Sequence, residues 1–220
     1  MSLECTNKEC SQKLNISNSA QNFANPALSV KISVERELIK EKHKILEVGS
    51  GNLRNMFFLM RSLHEIQLYT YDLQNTIKRF QSQYKKYTEM GGKIIKSNFE
   101  NEKYDIILCT FVLETICPEK KRIFILKSIQ NNLKKKGVFI GSFRGYPGVI
   151  GTRYKKCPVE NGFISSLNTF IKPYSITEVQ TLLQSCGFKK TINLQNYRTN
   201  TPKNIHIIAL LEEQDGKKMD

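Results

Sequence analysis

The feature of the sequence that most constrains the fold is a regular alternation of short apolar runs with segments of helical periodicity. Seven runs are typical of strands: 42–48, 66–72, 92–98, 104–112, 137–143, 188–195 and 204–211. Parallel strands need a crossover between them, and crossover helices cover both faces of the sheet. The alternation predicts a single-domain α/β fold with a doubly wound, seven-stranded, mostly parallel sheet.

The C-terminal end of this pattern departs from strict alternation. Its last helix is marked by a capping box between Ser175 and Glu178 and by a stop at Gly187. No helix separates 188–195 from 204–211. These two strands should therefore pair antiparallel and form one edge of the sheet.

Two helices nearer the N-terminus are also predicted from spacing. Pro26 opens a helical pattern that extends to about Lys42. After the first strand, Leu53, Phe57 and Met60 recur at intervals of three and four. This spacing predicts the second helix.

The domain boundaries follow from composition. Residues 1–25 are rich in Asn, Ser and Gln, which predicts a flexible arm or lid before a domain over 26–214. Residues 144–174 combine four glycines and three prolines with weak periodicity. We expect them to be an irregular insertion that serves as a substrate lid. Residues 215–220 should form a C-terminal tail.

Composition favours a soluble, cytoplasmic protein. The chain is 40% hydrophobic, but its longest apolar stretches reach only about ten residues, and a membrane span needs roughly 20. The first residues show no signal-peptide core. Six scattered cysteines predict free thiols. Cys5 and Cys10 have no second pair downstream, so no metal site is expected.

The net charge of +14 favours an anionic partner. A small anionic molecule and a nucleic acid both fit, and the dispersion of the basic residues along the chain favours the small molecule. The oligomeric state stays open.

The segment ILEVGSGN, residues 45–52, suggests the chemistry. Gly49 and Gly51 follow a strand, where they permit a sharp turn and the close approach of a ligand to the backbone. The next strand ends in Asp72, about twenty residues on, where a carboxylate can accept hydrogen bonds from both hydroxyls of a ribose. A nucleoside-containing cofactor is predicted.

Two classes of cofactor compete for such a turn. A dinucleotide fingerprint requires a third glycine three positions after Gly51, and Arg54 stands there. Glu47, two residues before the first glycine, offers nothing to a pyrophosphate, whereas an amino group and a sulfonium cation would favour it. The turn therefore favours a cationic sulfur nucleoside over NAD.

The residues 47–52, Glu-Val-Gly-Ser-Gly-Asn, resemble the first motif of the class I S-adenosylmethionine-dependent methyltransferases. The resemblance continues at 71–73 (Tyr-Asp-Leu), 97–99 (Ser-Asn-Phe), 104–114, 132–140 and 174–188, and it spans about residues 44–211. It implies a Rossmann-like fold and S-adenosylmethionine as cofactor. Leu53 departs from the pattern, because the family often has glycine there.

The resemblance also implies roles for individual residues. Gly49, Ser50 and Gly51 would border the methionine part, with Glu47 near its amino group. Asp72 and Leu73 stand at the ribose position, Asn98 would meet the adenine amino group, and Phe99 would pack on the adenine ring. The end of the fourth strand puts Cys109 near the cofactor, although a small core residue is its ordinary role.

The acceptor side is less defined. Glu114 is a carboxylate after the fourth strand, and Arg144 and Tyr146 lie on the rim after the fifth, so these three are the candidates for contact with the acceptor. Methylation of a nucleic acid and a non-catalytic scaffold of the same fold are the alternatives. Because the sulfonium is already activated, no strong catalytic base is required.

Overall fold

The computed structural model describes residues 24–95, 102–148, 154–158, 160–166 and 168–211. The predicted arm, except for its last two residues, and the predicted tail lie outside these ranges. The helices are α1 (Leu28–Glu35), α2 (Arg54–Ser62), α3 (Gln74–Arg79), α4 (Gln81–Glu89), α5 (Glu119–Asn132) and α6 (Ile176–Ser185). The strands are β1 (Lys44–Val48), β2 (Gln67–Tyr71), β3 (Lys93–Ile94), β4 (Tyr104–Thr110), β5 (Leu133–Arg144), β6 (Tyr154–Lys156), β7 (Phe163–Ser165), β8 (Phe170–Ile171), β9 (Lys190–Asn193) and β10 (Asn204–Leu210).

The central sheet has seven strands in the order β3-β2-β1-β4-β5-β10-β9, which confirms the predicted fold class. The contacts among β1 to β5 are parallel. β10 is antiparallel to both of its neighbours. The reversed strand is therefore second from the edge, and β9 forms the edge itself. The strand order reverses between β1 and β4, where α/β sheets bind ligands.

Two apolar layers cover the sheet. Alternate residues of β4 point to opposite faces, so Ile107 packs with Leu126 of α5 and Leu183 of α6. On the other face, Leu108 packs with α1, α2 and α4 and contributes to a core that includes Met56. Both faces of β4 are buried, as its continuous apolar sequence predicts.

The first of the two N-terminal helices is shorter than predicted. α1 ends at Glu35 rather than near Lys42, because Glu37 and Lys42 both have positive φ in the turn that leads into β1. The second predicted helix is present as α2, and Phe57 and Met60 are half-buried and pack against the core beneath it. The residues of α2 that are buried are Asn55, Met56 and Leu59.

Leu53 helps to explain which face of α2 is buried. It precedes the helix as its N-cap, with a left-handed φ of 64°, and its side chain is completely buried. Because Leu53 is outside the helix, its position does not continue the helical spacing of the residues that follow. The face that turns inward is therefore set from Asn55 onward.

The capping box of α6 is confirmed. The Ser175 hydroxyl accepts a hydrogen bond from the Glu178 N–H at 3.2 Å, and the Glu178 carboxylate accepts one from the Ser175 N–H at 2.7 Å. Gly187 follows the helix with φ of 94°. The start of α6 is thus fixed where β8 returns from the insertion.

The insertion is more regular than expected. β6, β7 and β8 form a small antiparallel sheet, so the prediction of an irregular segment was wrong. Strands of two or three residues are too short to display the alternation that identifies a strand in a sequence. An ion pair between Arg122 of α5 and Glu160 joins this sheet to the main domain.

Candidate functional site

A turn with two glycines follows β1. Gly49 and Gly51 have φ values of 73° and 55°, in the left-handed region that favours glycine. The Gly49 N–H donates to the Tyr71 carbonyl at 2.8 Å, which continues the pairing of β1 with β2. A Cβ atom on Gly49 would overlap the side chain of Val112. The turn is therefore held tightly against the segment that follows β4.

Asp72 at the end of β2 fixes the other side of this turn. One carboxylate oxygen accepts a hydrogen bond from the Gly51 N–H and the other from the Leu73 N–H, each at 2.7 Å. Burial raises the pKa of Asp72 above its ordinary value, while these two N–H donors act in the opposite direction. Each carboxylate oxygen can accept two hydrogen bonds, and the oxygen bonded to Gly51 is also within 3.5 Å of the Tyr84 hydroxyl, so the oxygen bonded to Leu73 has the more acceptor capacity left. Asp72 can thus hold the turn and still accept hydroxyl donors.

Ser50 lies at the centre of a buried hydroxyl network. Its Oγ bonds to the hydroxyl of Thr70 on β2 and, at 2.9 Å, to the hydroxyl of Tyr84 on α4. The Tyr84 hydroxyl also reaches Asp72 at 3.5 Å. The turn is therefore connected to the sheet and to a helix on the same face.

Glu47 is buried on β1, with a side chain that is 1% exposed. Its Oε1 accepts a hydrogen bond from Nδ2 of Asn55 at 2.5 Å, whereas its Oε2 has no partner among the described residues. Burial raises the pKa of Glu47 to about 8, although Asn55 and the charge of Arg54 lower it. Glu47 thus presents one unsatisfied acceptor oxygen close to the glycine turn.

Asn55 links three elements around Glu47. Its Nδ2 also donates to the Thr110 hydroxyl at the end of β4, at 3.0 Å. Its Oδ1 accepts a hydrogen bond from the N–H of Ala27, just before α1, at 2.7 Å. The sequence predictions did not include Asn55. The available signal was Glu47 itself, because a carboxylate on a buried strand needs a polar partner.

The end of β4 carries two of the predicted residues. Cys109 packs in the core with α5 and α6, and burial raises the pKa of its thiol, so it is neutral. Glu114 lies in a short 3-10 turn, Leu113–Thr115. Its side chain is 1% exposed, and neither carboxylate oxygen has a hydrogen-bond partner in the described part of the chain.

Charge and burial compete at Glu114. Burial raises its pKa to about 7, whereas the nearby backbone N–H groups of Glu114 and Arg144 and the positive charge of Arg144 act in the opposite direction. Arg144 is half-buried at the end of β5. Tyr146 is also half-buried, but its hydroxyl donates to Glu178 at 3.3 Å, at the start of α6. Of the three acceptor candidates, Glu114 and Arg144 therefore interact, while Tyr146 is bonded to α6.

The remaining cofactor candidates, Asn98 and Phe99, lie outside the described residues. Within the described ranges, no group of His, Cys, Asp or Glu side chains is arranged to hold a metal ion. Over the same ranges, no helix has the length and apolar character needed to cross a bilayer.

The chain was compared with protein-family models and with known proteins. Residues 46–141, which contain the glycine turn, Asp72, Cys109 and Glu114, match a family model described as a methyltransferase domain. No curated protein matches the chain significantly.

Solved structures extend the match beyond that segment. The methyltransferase CcbJ from Streptomyces caelestis superposes with a TM-score of 0.64 at 10% identity, over 93% of this chain and 99% of that one. An S-adenosylmethionine-dependent methyltransferase from Clostridium acetobutylicum gives 0.59 at 15% identity, over 84% and 89%. The chain belongs to the class I methyltransferase fold.

A third structure within this methyltransferase fold was solved with ligands. It is the Burkholderia thailandensis 1,6-didemethyltoxoflavin N1-methyltransferase, with bound 1,6-didemethyltoxoflavin and S-adenosylhomocysteine. Its TM-score is 0.55 at 12% identity, over 82% of this chain and 75% of that one.

The structure brings most of the site residues predicted from the sequence together at the carboxyl ends of the parallel strands. Glu47, the glycine turn and Asp72 follow β1 and β2, and Glu114 and Arg144 follow β4 and β5. Asn55 and Tyr84 join them from α2 and α4. The two helix residues lie on buried faces, where spacing alone suggests packing rather than hydrogen bonding.

Proposed function

We propose that this protein binds S-adenosylmethionine at the carboxyl ends of β1 and β2 and transfers its methyl group to a small-molecule acceptor. The methyltransferase family match and the fold support the activity. The observation that carries the assignment is the hydrogen bond from the Gly51 N–H to Asp72 at 2.7 Å, which joins the glycine turn to the carboxylate at the end of β2. A turn of this kind gives a nucleoside access to the backbone.

The residues of the turn fit the amino-acid part of this cofactor. Gly49 and Gly51 border the methionine chain, and Ser50 keeps the turn in place through its buried hydroxyl bonds. Oε2 of Glu47 is buried and lacks a partner among the described residues. An ammonium group nearby, directly or through water, would satisfy that oxygen, since an unpaired buried acceptor is costly.

The residues after β2 fit the nucleoside part. The carboxylate of Asp72 accepts hydrogen bonds from the ribose hydroxyls. Leu73, the next residue, lies beside the same ribose. Asn98 and Phe99 are assigned to adenine on the resemblance of their motif. Cys109 contributes apolar contact at the end of β4, since its thiol is buried and neutral.

The bound cofactor supplies a methyl group activated on a sulfonium. What the protein must do is hold the acceptor in line with that methyl group and exclude water, and such alignment alone accounts for several powers of ten in rate. The buried turn and the nearly closed surroundings of Glu47 and Glu114 suit this role.

A small anionic acceptor agrees with the dispersed basic residues and the net charge of +14. Arg144 stands at the end of β5 and supplies a positive charge there. The bound 1,6-didemethyltoxoflavin in the Burkholderia structure shows that this fold takes a small-molecule acceptor in that protein.

Calorimetry with S-adenosylmethionine and methyl-label transfer into fractionated cell extract test this function. We expect micromolar cofactor binding and label in the fraction of small molecules. No binding at millimolar cofactor would support a scaffold role. Label confined to RNA or DNA would support a nucleic-acid methyltransferase.

A further inference from the structure

Unsatisfied polar atoms gather on the acceptor side of the site. The described residues contain ten buried side-chain nitrogen and oxygen atoms without a hydrogen-bond partner. Five of them belong to four residues near the turn after β4: both carboxylate oxygens of Glu114, the Tyr174 hydroxyl, Nε of Arg122 and Oε2 of Glu160. Natural proteins rarely leave such atoms unpaired, so a concentration of them calls for an explanation.

Backbone hydrogen bonds bring these residues to one place. The Lys172 N–H donates to the Glu114 carbonyl at 2.7 Å, and the Tyr174 N–H donates to the Arg144 carbonyl at 3.0 Å. Arg122 donates to the Ile116 carbonyl, two residues beyond Glu114, at 2.6 Å. The end of the insertion, the end of β5 and α5 therefore all meet at the turn that carries Glu114.

Electrostatic interactions agree with this arrangement. Burial raises the pKa of the Tyr174 hydroxyl, the charge of Arg122 opposes the rise, and Glu114 and Glu160 add to it. Arg122 is already paired with Glu160, and both are held by the small sheet and α5. Glu114 and Tyr174 are left as the two groups that can bond to something new.

The cluster lies beside the proposed cofactor turn. Val112, two residues before Glu114, is the side chain that a Cβ on Gly49 would overlap. Burial raises the pKa of the Cys109 thiol, and the charges of both Glu114 and Glu47 add to the rise. A molecule that contacts Glu114 would thus be close to the methionine end of the cofactor site.

We infer that Glu114 and Tyr174, with Arg144 on the rim, bind the methyl acceptor, and that Glu114 receives a proton from the atom that is methylated. This rests on the proposed methyltransferase function. The acceptor is therefore a small molecule whose nucleophilic nitrogen or oxygen carries hydrogen, and an anionic group on it is placed to meet Arg144.

The proton balance of the reaction follows from this assignment. The lone pair of the acceptor nitrogen or oxygen forms the new bond to the methyl carbon, and the carbon–sulfur electron pair stays on sulfur. The hydrogen on the acceptor atom leaves as a proton and bonds to a carboxylate oxygen of Glu114. The Tyr174 hydroxyl donates a hydrogen bond to the acceptor molecule and holds it in place.

The surroundings of Glu114 suit a proton acceptor. The titratable or charged groups around it are Cys109 from β4, Arg144 from β5 and Tyr174 from the segment before α6. Burial raises the pKa of Glu114 to about 7, and the backbone N–H groups of Glu114 and Arg144, with the charge of Arg144, oppose the rise. A carboxylate with such a pKa can both take up and release a proton near neutral pH.

The test compares Glu114→Gln and Tyr174→Phe with two matched controls. Glu41→Gln removes an exposed carboxylate, and Tyr104→Phe removes another buried, unpartnered tyrosine hydroxyl, at the opposite end of β4. Label transfer from methyl-labelled S-adenosylmethionine into the small-molecule fraction is measured, with cofactor affinity by calorimetry and folding by thermal unfolding.

We expect Glu114→Gln to lower transfer at least 100-fold and Tyr174→Phe about tenfold, with cofactor affinity unchanged within about twofold. Wild-type transfer should rise with pH around 7 as Glu114 ionises. Infrared difference spectra should show a carboxyl band that titrates over the same range and is absent in Glu114→Gln.

Three results would overturn the inference. Methyl transfer by a folded Glu114→Gln protein at the wild-type rate would show that Glu114 does not accept the proton. A flat wild-type pH profile between about pH 5 and 9 would do so even if that variant failed to fold. An equal loss in Tyr104→Phe would show that the effect is not local. Failure of the wild type to bind cofactor would instead contradict the proposed function.

Discussion

The turns after β1 and β4 lie at the same edge of the sheet, but their polar groups are satisfied to different degrees. At the first turn, the two oxygens of Asp72 accept backbone N–H groups, and Ser50 bonds to two hydroxyls. Among the described residues there, only Glu47 keeps an unpaired oxygen. Around Glu114, five buried atoms have no partner.

The difference shows which half of the site the protein completes by itself. The proposed cofactor half is preorganised, because protein groups supply the hydrogen bonds that hold its turn, and preorganisation lowers the entropic cost of binding. In the proposed acceptor half, the described residues leave buried polar atoms for another molecule or water to satisfy.

Gly49→Ala should damage the preorganised half most. The left-handed φ and the overlap with Val112 together should cost about 4 kcal/mol of unfolding free energy, and cofactor binding should be lost. Urea unfolding and calorimetry measure the two effects. Gly91→Ala is the control, since Gly91 has φ of 91° but open space for a Cβ. An equal cost at both positions would mean that the overlap is unimportant.

Glu114→Gln should change how stability depends on pH. The pKa of Glu114 is about 7 in the folded protein and near 4.5 in the unfolded chain, so the unfolded chain loses its proton first as pH rises. Wild-type stability should therefore fall between about pH 4.5 and 7, by about 3 kcal/mol from this group. Urea unfolding at several pH values should show a smaller fall in the variant.

Glu47 contributes a fall of the same sign, because its pKa is raised to about 8. That contribution should persist in Glu114→Gln and extend to higher pH. If both proteins lose the same stability between about pH 4.5 and 7, Glu114 is already ionised in the folded state at low pH.

Asn55→Leu tests the link between the cofactor half and α1. It leaves Oε1 of Glu47, the Thr110 hydroxyl and the Ala27 N–H without their shared partner. We expect a loss of about 2 kcal/mol, measured by urea unfolding. Asn75→Leu, at an exposed position of α3, is the comparison, and an equal loss there would contradict a special role for Asn55.

Two tyrosine variants compare a satisfied hydroxyl with an unsatisfied one. Tyr84→Phe removes a hydroxyl that bonds to Ser50, so it should cost about 1 kcal/mol. Tyr174→Phe removes a buried hydroxyl with no partner among the described residues, so stability should be unchanged or slightly higher. Thermal unfolding of the two proteins decides this. A larger loss of stability in Tyr174→Phe than in Tyr84→Phe would contradict the difference in hydrogen bonding between the two halves of the site.

The main sheet was predictable because its signals are long. β4 is a continuous apolar strand, and crossovers leave few topologies for strands that are separated by helices. The capping box at Ser175 was predictable for a different reason, because two residues three positions apart define it completely. β6, β7 and β8 have two or three residues each and are stabilised by pairing with one another. Segments this short show no hydrophobic periodicity in the sequence.

The glycine turn and Asp72 were also predictable, since conformation and charge at fixed spacing define them. Asn55 was missed because spacing treats the buried face of a helix as apolar, and only the position of Glu47 makes an amide suitable there. Tyr174 was missed because its role depends on contacts with residues distant in sequence.

The direction of β10 has a practical consequence for experiments. This strand begins beside Arg144, at the edge that holds the site, and ends with Leu210 beside Val138, at the far edge. A fluorescent protein or affinity handle joined after this strand would leave from the side away from the entrance. Immobilisation through a handle fused directly after Leu211 should therefore keep the proposed ligand entrance open.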